Sequence, residues 1–330
     1  MRRFIIYSAL LSIALVIGAA AAIGWAYHKY TEPGPLAEAT TLIIPKGSNT
    51  QAIADKLFDA KIIDNVFLFK IWARVSGKNN AMRPGEYRFP KAVSQKGAMA
   101  LMVEGKTVLR RLTIPEGLTT VQVIELVNKA AGLEGAITST PGEGDLLPDT
   151  YTYSFGDQRE AMIQRMKTAM EKAMDEAWDK RIGDLPIKDK REMLILASII
   201  EKETSQAAER RRVSAVFVNR LRKGMRLETD PTVIYAITKG QGPLGRRLLR
   251  KDLEVDNPYN TYRRVGLPPG PIANPGRAAL VAAVTPLQTK DLFFVADGTG
   301  GHAFAETVEQ HNANVVKWRR IQREKDKDAD

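Results

Sequence analysis

Glu201 is the residue of this sequence whose surroundings best suit acid–base chemistry. It follows an apolar stretch, residues 194–200, whose composition is typical of a buried helix. A carboxyl group held against apolar neighbours loses solvation of its charged form, so its pKa rises and it can keep a proton near neutral pH. A general acid requires a protonated carboxyl of this kind.

The helix that carries Glu201 is predicted to begin near Lys190, because Asp189 and Glu192 have the spacing of an N-terminal capping box. Glu201 then shares a helical face with apolar or small side chains three, four and seven residues earlier. Glu203 lies two residues further on and points about 200° away. We therefore expect Glu201 to face inward and Glu203 not to. The pattern alone also fits a salt-bridged or exposed Glu201 at a fraying helix end.

The first thirty residues indicate a membrane segment. Residues 4–27 contain no charged residue, a run of 24 positions, and the hydrocarbon core of a bilayer needs roughly 20 apolar helical residues. Because Arg2 and Arg3 precede the run, we predict a single-pass protein of the inner (cytoplasmic) membrane, with a cytoplasmic N-terminus and a periplasmic body. A cleaved signal peptide, with small residues at 19–22, is the alternative, and it exports the body equally well.

Composition limits the other chemistries. The chain of 330 residues has no cysteine, which excludes disulfides, thiolate metal sites and cysteine nucleophiles. His28, His302 and His311 lack the spacing of a metal-ligand pair, so no metal site is predicted. The formal charge is +11, and +8 remains without the first thirty residues, which favours an acidic polymer as partner. The predicted export argues against nucleic acid in that role.

Two stretches of the chain resemble each other at an offset of 70 residues: IPKGSNTQAI at 44–53 and IPEGLTTVQV at 114–123. Each predicts a strand, a Pro-x-Gly turn and a helix capped by Asn or Thr. One interpretation is a small LysM-like α/β module that grips amino-sugar chains; the other is a chance likeness of a common unit. We call these two similar stretches, 44–53 and 114–123, the first and second echo. Between the echoes we predict helices over residues 66–76 and 95–104 and a strand near 84–89.

The fold is predicted to be α+β, with a single transmembrane helix, a small LysM-like domain and a mixed α/β catalytic domain. A segment rich in Gly, Thr, Ser and Pro, residues 131–144, indicates a boundary. The predicted domains are therefore an anchor at 1–30, LysM-like structure at 31–145 and the catalytic domain at 146–330. A helix near 159–181 carries Met or Trp at four-residue steps, which favours core packing over a ligand groove.

The second half of the chain carries a series of longer motifs. They are EKET at 201–204, VSAVFVNRL at 213–221, MRLETDPTVIY at 225–235, NPYNTY at 257–262, GLPPGPIANPG at 266–276, FVAD at 294–297 and GGHAF at 300–304. In type and order they resemble the MltG (YceG-like) family of endolytic murein transglycosylases. One family segment is split here, with LEG at 133–135 apart from EGDLLPDTY at 143–151.

The resemblance implies an enzyme of the inner membrane that acts on peptidoglycan strands. Such enzymes cut the β-1,4 bond between N-acetylmuramic acid and N-acetylglucosamine and leave a 1,6-anhydro end. The family's essential glutamate corresponds to Glu201. Peptidoglycan synthases of the same membrane are the implied protein partners, residues 4–27 meet the lipid bilayer, and no cofactor is implied.

Six further residues are predicted to bind the glycan: Thr229, Asp230, Tyr259, Asn260, Tyr262 and His302. Asp230, which precedes Pro231, also fits a plain helix N-cap. In the loop at 257–262 an amide can bind acetamido or hydroxyl groups and a ring can cover a sugar face, although turn formation and packing also explain these residues. His302 follows two glycines and fits either sugar binding, orientation of Glu201 or a purely structural role.

Two other functions remain open from the sequence. The same site would act as a hydrolytic muramidase if water reached C1 of the sugar before the C6 hydroxyl. A membrane-tethered, non-catalytic peptidoglycan-binding scaffold would rely on the LysM-like region and the basic charge instead.

Overall fold

The structure is a computed structural model that describes residues 2–328. Met1, Ala329 and Asp330, which belong to the predicted anchor and catalytic domain, lie outside the described residues. The chain begins with α1 (Arg2–Thr31), whose apolar part, Phe4–Thr31, contains an 18-residue window with a mean hydropathy of 2.3 and no buried residue. By length and composition this helix can cross a membrane. Among the described residues it is the one helix that can do so.

The rest of the chain contributes to two compact units. The first comprises Met1–Arg110, Ala131–Leu133 and Thr152–Asp157, and the second comprises Arg111–Ala130, Glu134–Tyr151 and Gln158–Asp330. The fold is thus mixed α and β behind one apolar N-terminal helix. The three-domain division and the LysM-like identity of the first part remain predictions.

The first unit combines a two-stranded sheet with helices. After α1 come β1 (Thr40–Ile44), α2 (Thr50–Asp59), α3 (Val66–Val75), β2 (Gly85–Phe89) and α4 (Gln95–Glu104). The strands are antiparallel, with Thr40 opposite Phe89 and Ile44 opposite Gly85. Phe69, Tyr87 and Phe89 are fully buried in the core between sheet and helices. The predicted helices and strand of this region are confirmed.

The second unit is mostly helical. Its elements are α5 (Thr120–Lys129), α6 (Arg159–Trp178), α7 (Lys190–Glu203), α8 (Arg210–Arg222), α9 (Asp230–Thr238), a short 3₁₀ helix (Arg250–Glu254), α10 (Arg277–Val284), β5 (Phe293–Ala296), β6 (His302–Ala305) and α11 (Val308–Asp328). β5 pairs with β6 in an antiparallel hairpin. β3 (Leu109–Thr113) pairs with β4 (Thr150–Ser154), and each of these two strands has residues in both units.

The centre of the second unit is α7, which packs chiefly on α10. All of its residues from Met193 to Ile200 are buried. On α6, Met162, Met166 and Met170 are buried, while Met174 and Trp178 pack at the edge of the core. Core packing is therefore confirmed as the role of this methionine face.

Both echoes fold as predicted at the local level. Asn49 caps α2 by accepting from the Ala52 amide, and Thr119 caps α5 in a capping box with Gln122. The two helices nevertheless belong to different compact units, because residues 111–130 group with the second unit. The likeness of the two segments is therefore one of local chemistry.

Candidate active site

Helix α7 brings Glu201 to its last turn. Asp189 caps the helix as predicted, with its Oδ1 accepting from the Glu192 amide at 2.8 Å. The buried stretch that precedes Glu201 fixes the helix against the core. The Glu201 side chain is 6% exposed, so the inward orientation expected from the sequence is confirmed.

The carboxyl oxygens of Glu201 have different partners. Oε2 accepts a hydrogen bond from the backbone amide of Gly276 at 2.9 Å. Oε1 lies 3.7 Å from Nη2 of Arg210, which is beyond hydrogen-bond distance. Burial raises the pKa of Glu201, against the lowering effect of the Gly276 amide; the charge of Glu116 raises this pKa further, and Arg210 and Lys202 lower it.

Glu116 is a second carboxylate at the same place. It lies in the Pro-x-Gly turn before α5 and its residue is exposed. A Cβ added to Gly276 would lie 1.7 Å from Glu116 Oε1, so this oxygen rests directly on the Gly276 backbone. Glu201 and Glu116 therefore meet at one glycine, one carboxyl buried and the other open to solvent.

The turn that carries Glu116 is held in place by the segment around Asn274. The backbone N–H of Gly117 donates to the backbone carbonyl of Asn274 at 3.0 Å, and the backbone N–H of Asn274 donates to the carbonyl of Leu118 at 2.8 Å. The Asn274 side chain is fully buried and bonds to Leu118 and Leu146. One short segment thus positions both carboxyl groups, since Gly276 follows Asn274 by two residues.

Glu203 corrects the expectation that it would point away from the interior. It is half-buried, and its carboxyl accepts a hydrogen bond from the Thr229 hydroxyl. Burial raises the pKa of Glu203 to about 7, against the lowering effect of that bond. The helical period gave the direction correctly, but neighbouring elements cover both sides of the end of α7.

The sequence allowed Asp230 to be the N-cap of α9, but the structure shows that it is not. The cap position belongs to Thr229, without a side-chain capping bond, and Asp230 is the first helical residue. Its carboxyl instead accepts from the Tyr262 hydroxyl at 2.6 Å. Burial and this hydrogen bond raise the pKa of Tyr262, so its hydroxyl stays protonated.

His302 lies at the start of β6 beside a cavity of about 400 Å³. Its Nδ1 is 2.7 Å from Glu209 Oε2, and its backbone amide donates to Glu209 Oε1 at 2.8 Å. The cavity is lined by residues of the β5–β6 hairpin, by Trp318 and by Glu203. His302 therefore faces the same cavity as Glu203.

A second cavity, of about 500 Å³, borders the other side of the α7 terminus. Gly117, Lys202 and Tyr235 are among its lining residues. Lys202 donates to the Gly117 carbonyl at 3.1 Å, and a Cβ on Gly117 would lie 3.7 Å from Glu201 Cγ. The turn at Gly117 therefore lines this cavity on one side and lies against the Glu201 side chain on the other.

The remaining predicted residues hold their own loop. Asn260 is fully buried; its Nδ2 donates to the carbonyls of Leu253 and Val255, and its Oδ1 accepts from the Tyr262 amide. The ring of Tyr259 packs 4.9 Å from that of Tyr235. These bonds and contacts lie inside the protein.

The structure brings the predicted residues together in part. Thr229, Asp230, Tyr262 and His302 gather around Glu203. The residues that contact Glu201 directly, Gly276 and Arg210, and its neighbour Glu116 were absent from the predicted set. The sequence held one indication of Glu116 as a site residue: the second echo has Glu116 where the first echo has Lys46.

Fold and site together define a class of protein: an α/β body after a single apolar helix, with one buried glutamic acid at a helix end and a second carboxylate beside it. The chain matches the YceG-like family over residues 42–317. It therefore belongs to the YceG-like family.

Characterised relatives and a solved structure agree with this membership. The chain is 30% identical over 311 residues to the endolytic murein transglycosylase of Bacillus subtilis (strain 168), covering 83% of each chain. It is 28% identical over 326 residues to the protein of that name from Streptococcus pneumoniae (strain D39), where it spans 84% of this chain and 58% of the relative. A crystal structure of a YceG-like protein from Listeria monocytogenes has a TM-score of 0.54 and 32% identity, over 84% of this chain and 98% of that one.

Proposed function

We propose that this chain is an endolytic murein transglycosylase that cuts the glycan strands of peptidoglycan between N-acetylmuramic acid and N-acetylglucosamine. The observation that carries the proposal is the carboxyl of Glu201, whose side chain is 6% exposed and whose pKa is raised by burial, at the point where the end of α7 meets Gly276 and Glu116. The names of the relatives support the same activity.

Glu201 acts as the general acid. Because Oε2 accepts from the Gly276 amide, the proton is carried by Oε1. It passes to the glycosidic oxygen while the bond from that oxygen to C1 of the muramic acid breaks. The resulting carboxylate then takes the proton of the C6 hydroxyl, whose oxygen bonds to C1 and closes the 1,6-anhydro ring. One carboxyl serves twice, and no water is consumed.

The cluster around Glu203 is the proposed sugar-binding side of the site. Asp230 and the Tyr262 hydroxyl form one hydrogen-bonded pair, and His302 lies across the cavity near Glu203. Thr229 orients Glu203 through its hydroxyl. Asn260 and Tyr259 contribute by holding the loop that carries Tyr262, since the Asn260 amide is occupied within the protein.

The proposed location follows from α1. This helix spans the inner membrane with its N-terminus in the cytoplasm, and the body meets nascent glycan on the outer side of that membrane. The peptidoglycan synthases of that membrane are then the natural protein partners, because they produce the strand that the enzyme would cut.

The test is a comparison of wild type with Glu201→Gln on purified cell wall. Removing the acid is expected to lower the release of products by about 10²–10⁴-fold, and mass spectrometry of the wild-type products should find anhydro-muramic ends. Glu171→Gln, at an exposed position on α6, is the control and should keep full activity. Absence of product release by wild type would favour a scaffold, unchanged release by Glu201→Gln would place the acid on another residue, and reducing muramic ends would favour a hydrolase.

A further inference from the structure

Helix α3 in the first unit has an apolar stripe that the described residues of that unit leave exposed. Phe67, Ile71 and Val75 are 69%, 39% and 71% exposed. They recur at four-residue steps and therefore share one face of the helix. The opposite face is already used, because Phe69 and Ala73 are fully buried in the core. Large exposed apolar side chains in a row indicate an interaction surface.

Trp72 ties this helix to the end of the apolar α1. Its indole N–H donates to the Ala26 carbonyl at 3.3 Å. Its ring stacks on Tyr30 at 5.1 Å and meets Tyr27 edge-on at 5.6 Å. Tyr30 is itself buried, with its hydroxyl 3.6 Å from the sulfur of Met99. The contact is therefore fixed by the core of the unit.

These contacts fix the position of α3 along the axis of α1. Ala26 and Tyr27 are the last residues of the uncharged run that begins at Phe4. Tryptophan and tyrosine favour the boundary between hydrocarbon and headgroups. If residues 4–27 fill the hydrocarbon core, Trp72 and the stripe beside it lie at the level of the lipid headgroups.

Charges flank the stripe on the side away from Trp72. By the helical period, Trp72 lies about 100° to one side of Ile71, and Lys70 and Arg74 lie about 60–100° to the other. A helix with aromatic and aliphatic residues on one face and cations at its edge binds the surface of a bilayer, with the cations on anionic headgroups.

We propose that the Phe67–Ile71–Val75 stripe docks on the membrane surface, in the headgroup region of the leaflet that faces the protein body. The partner is the lipid surface itself, with anionic headgroups held by Lys70 and Arg74. This rests on the proposal that α1 spans the membrane. Its consequence is that the first unit is seated on the bilayer at a fixed orientation and does not swing freely on the anchor.

The test uses the absence of cysteine from the sequence. Single variants Phe67→Cys and Val75→Cys of the full chain are labelled with an environment-sensitive fluorophore. The proteins are placed in vesicles of phosphatidylethanolamine and phosphatidylglycerol. The quencher is a phospholipid spin-labelled near the glycerol end of its acyl chain for positions 67, 75 and 109, and near the methyl end of that chain for the control at position 16. Val16→Cys in the apolar run is the positive control. Leu109→Cys, an exposed position on β3 of the same unit, is the comparison, and circular dichroism checks the fold of each variant.

Loss of fluorescence at positions 67 and 75, well beyond the loss at 109, supports the proposal. Labels at 67 and 75 that are quenched no more than the label at 109, while position 16 is quenched, would overturn it and leave the anchor intact; a protein partner would then be the occupant of the stripe. Failure of quenching at position 16 as well would overturn the membrane anchor on which the proposal rests, without bearing on the chemistry of Glu201.

Discussion

The pKa of the Glu201 carboxyl is set by two groups of neighbours with opposite effects. Burial and the nearby charge of Glu116 favour its protonated form, whereas the Gly276 amide, Arg210 and Lys202 favour the charged form. The balance raises the pKa. Glu116 is exposed, so the pair consists of one buried and one solvent-exposed carboxyl group.

Replacing Glu116 by Gln should change the pH dependence of the reaction. Because its charge raises the pKa of Glu201, the neutral amide should lower that pKa. Glu201 is then deprotonated at lower pH, and the alkaline limb of the profile of kcat/KM against pH moves to lower pH. The rate of product release from purified wall, measured across the pH range, checks this.

The matched comparison is Glu125→Gln, an exposed carboxylate on α5 paired with Lys129. This variant should leave the pH profile of wild type unchanged. An alkaline limb that stays in place in Glu116→Gln would mean that solvent screens the Glu116 charge completely.

At the scale of elements, the site depends on one segment between the 3₁₀ helix and α10. Asn274 bonds to the turn before α5, and Gly276 donates to Glu201 at the N-terminus of α10. The local sequence predicted where α7 begins, and the Asp189 cap confirmed it. That α10 would deliver a backbone amide to Glu201 depends on contacts 75 residues apart in the chain, which no local pattern encodes.

Gly276→Ala should disturb this meeting point without strain in the backbone. Its φ of −77° suits alanine, but the added Cβ would overlap Glu116 Oε1. Glu116 must therefore move, and we expect activity to fall, on the order of 10²-fold if the reacting groups shift by about 1 Å. Product release from purified wall is the measurement.

A double variant separates this cause from general damage. Since Gly276→Ala acts by displacing the Glu116 side chain, Glu116→Ala removes the overlap, and the effects of these two substitutions should not add. Gly24→Ala, where nothing lies within 4 Å of the added Cβ, should be silent. Full additivity of the two substitutions would mean that Gly276 acts by another route.

At the scale of the whole molecule, burial of Glu203 links stability to pH. Its pKa rises from an ordinary 4.5 to about 7 in the folded protein, so the folded state holds this proton more tightly than the unfolded chain. The stabilisation is complete below pH 4.5 and is lost as pH rises through about 7, a change of about 3 kcal/mol.

Glu203→Gln should remove this dependence. We expect the thermal midpoint of the full chain in detergent to fall less between pH 5 and pH 8 in the variant than in wild type, with Glu171→Gln behaving as wild type. Identical pH dependence in Glu203→Gln and wild type would place the proton on another group.

Whether a feature could be predicted from the sequence depends on the range of the interactions that produce it. Helix α7, its cap and the apolar span of α1 are local properties of composition and period, so the sequence determined them. For Glu201 the helical period indicated an inward direction but left an exposed position at the helix end open. Tertiary structure alone decided that Glu203 is covered, that Asp230 bonds to Tyr262, and that Glu116 and Gly276 meet at Glu201. These outcomes depend on which distant segments pack around the end of α7, and a helical period gives a direction without saying what lies there.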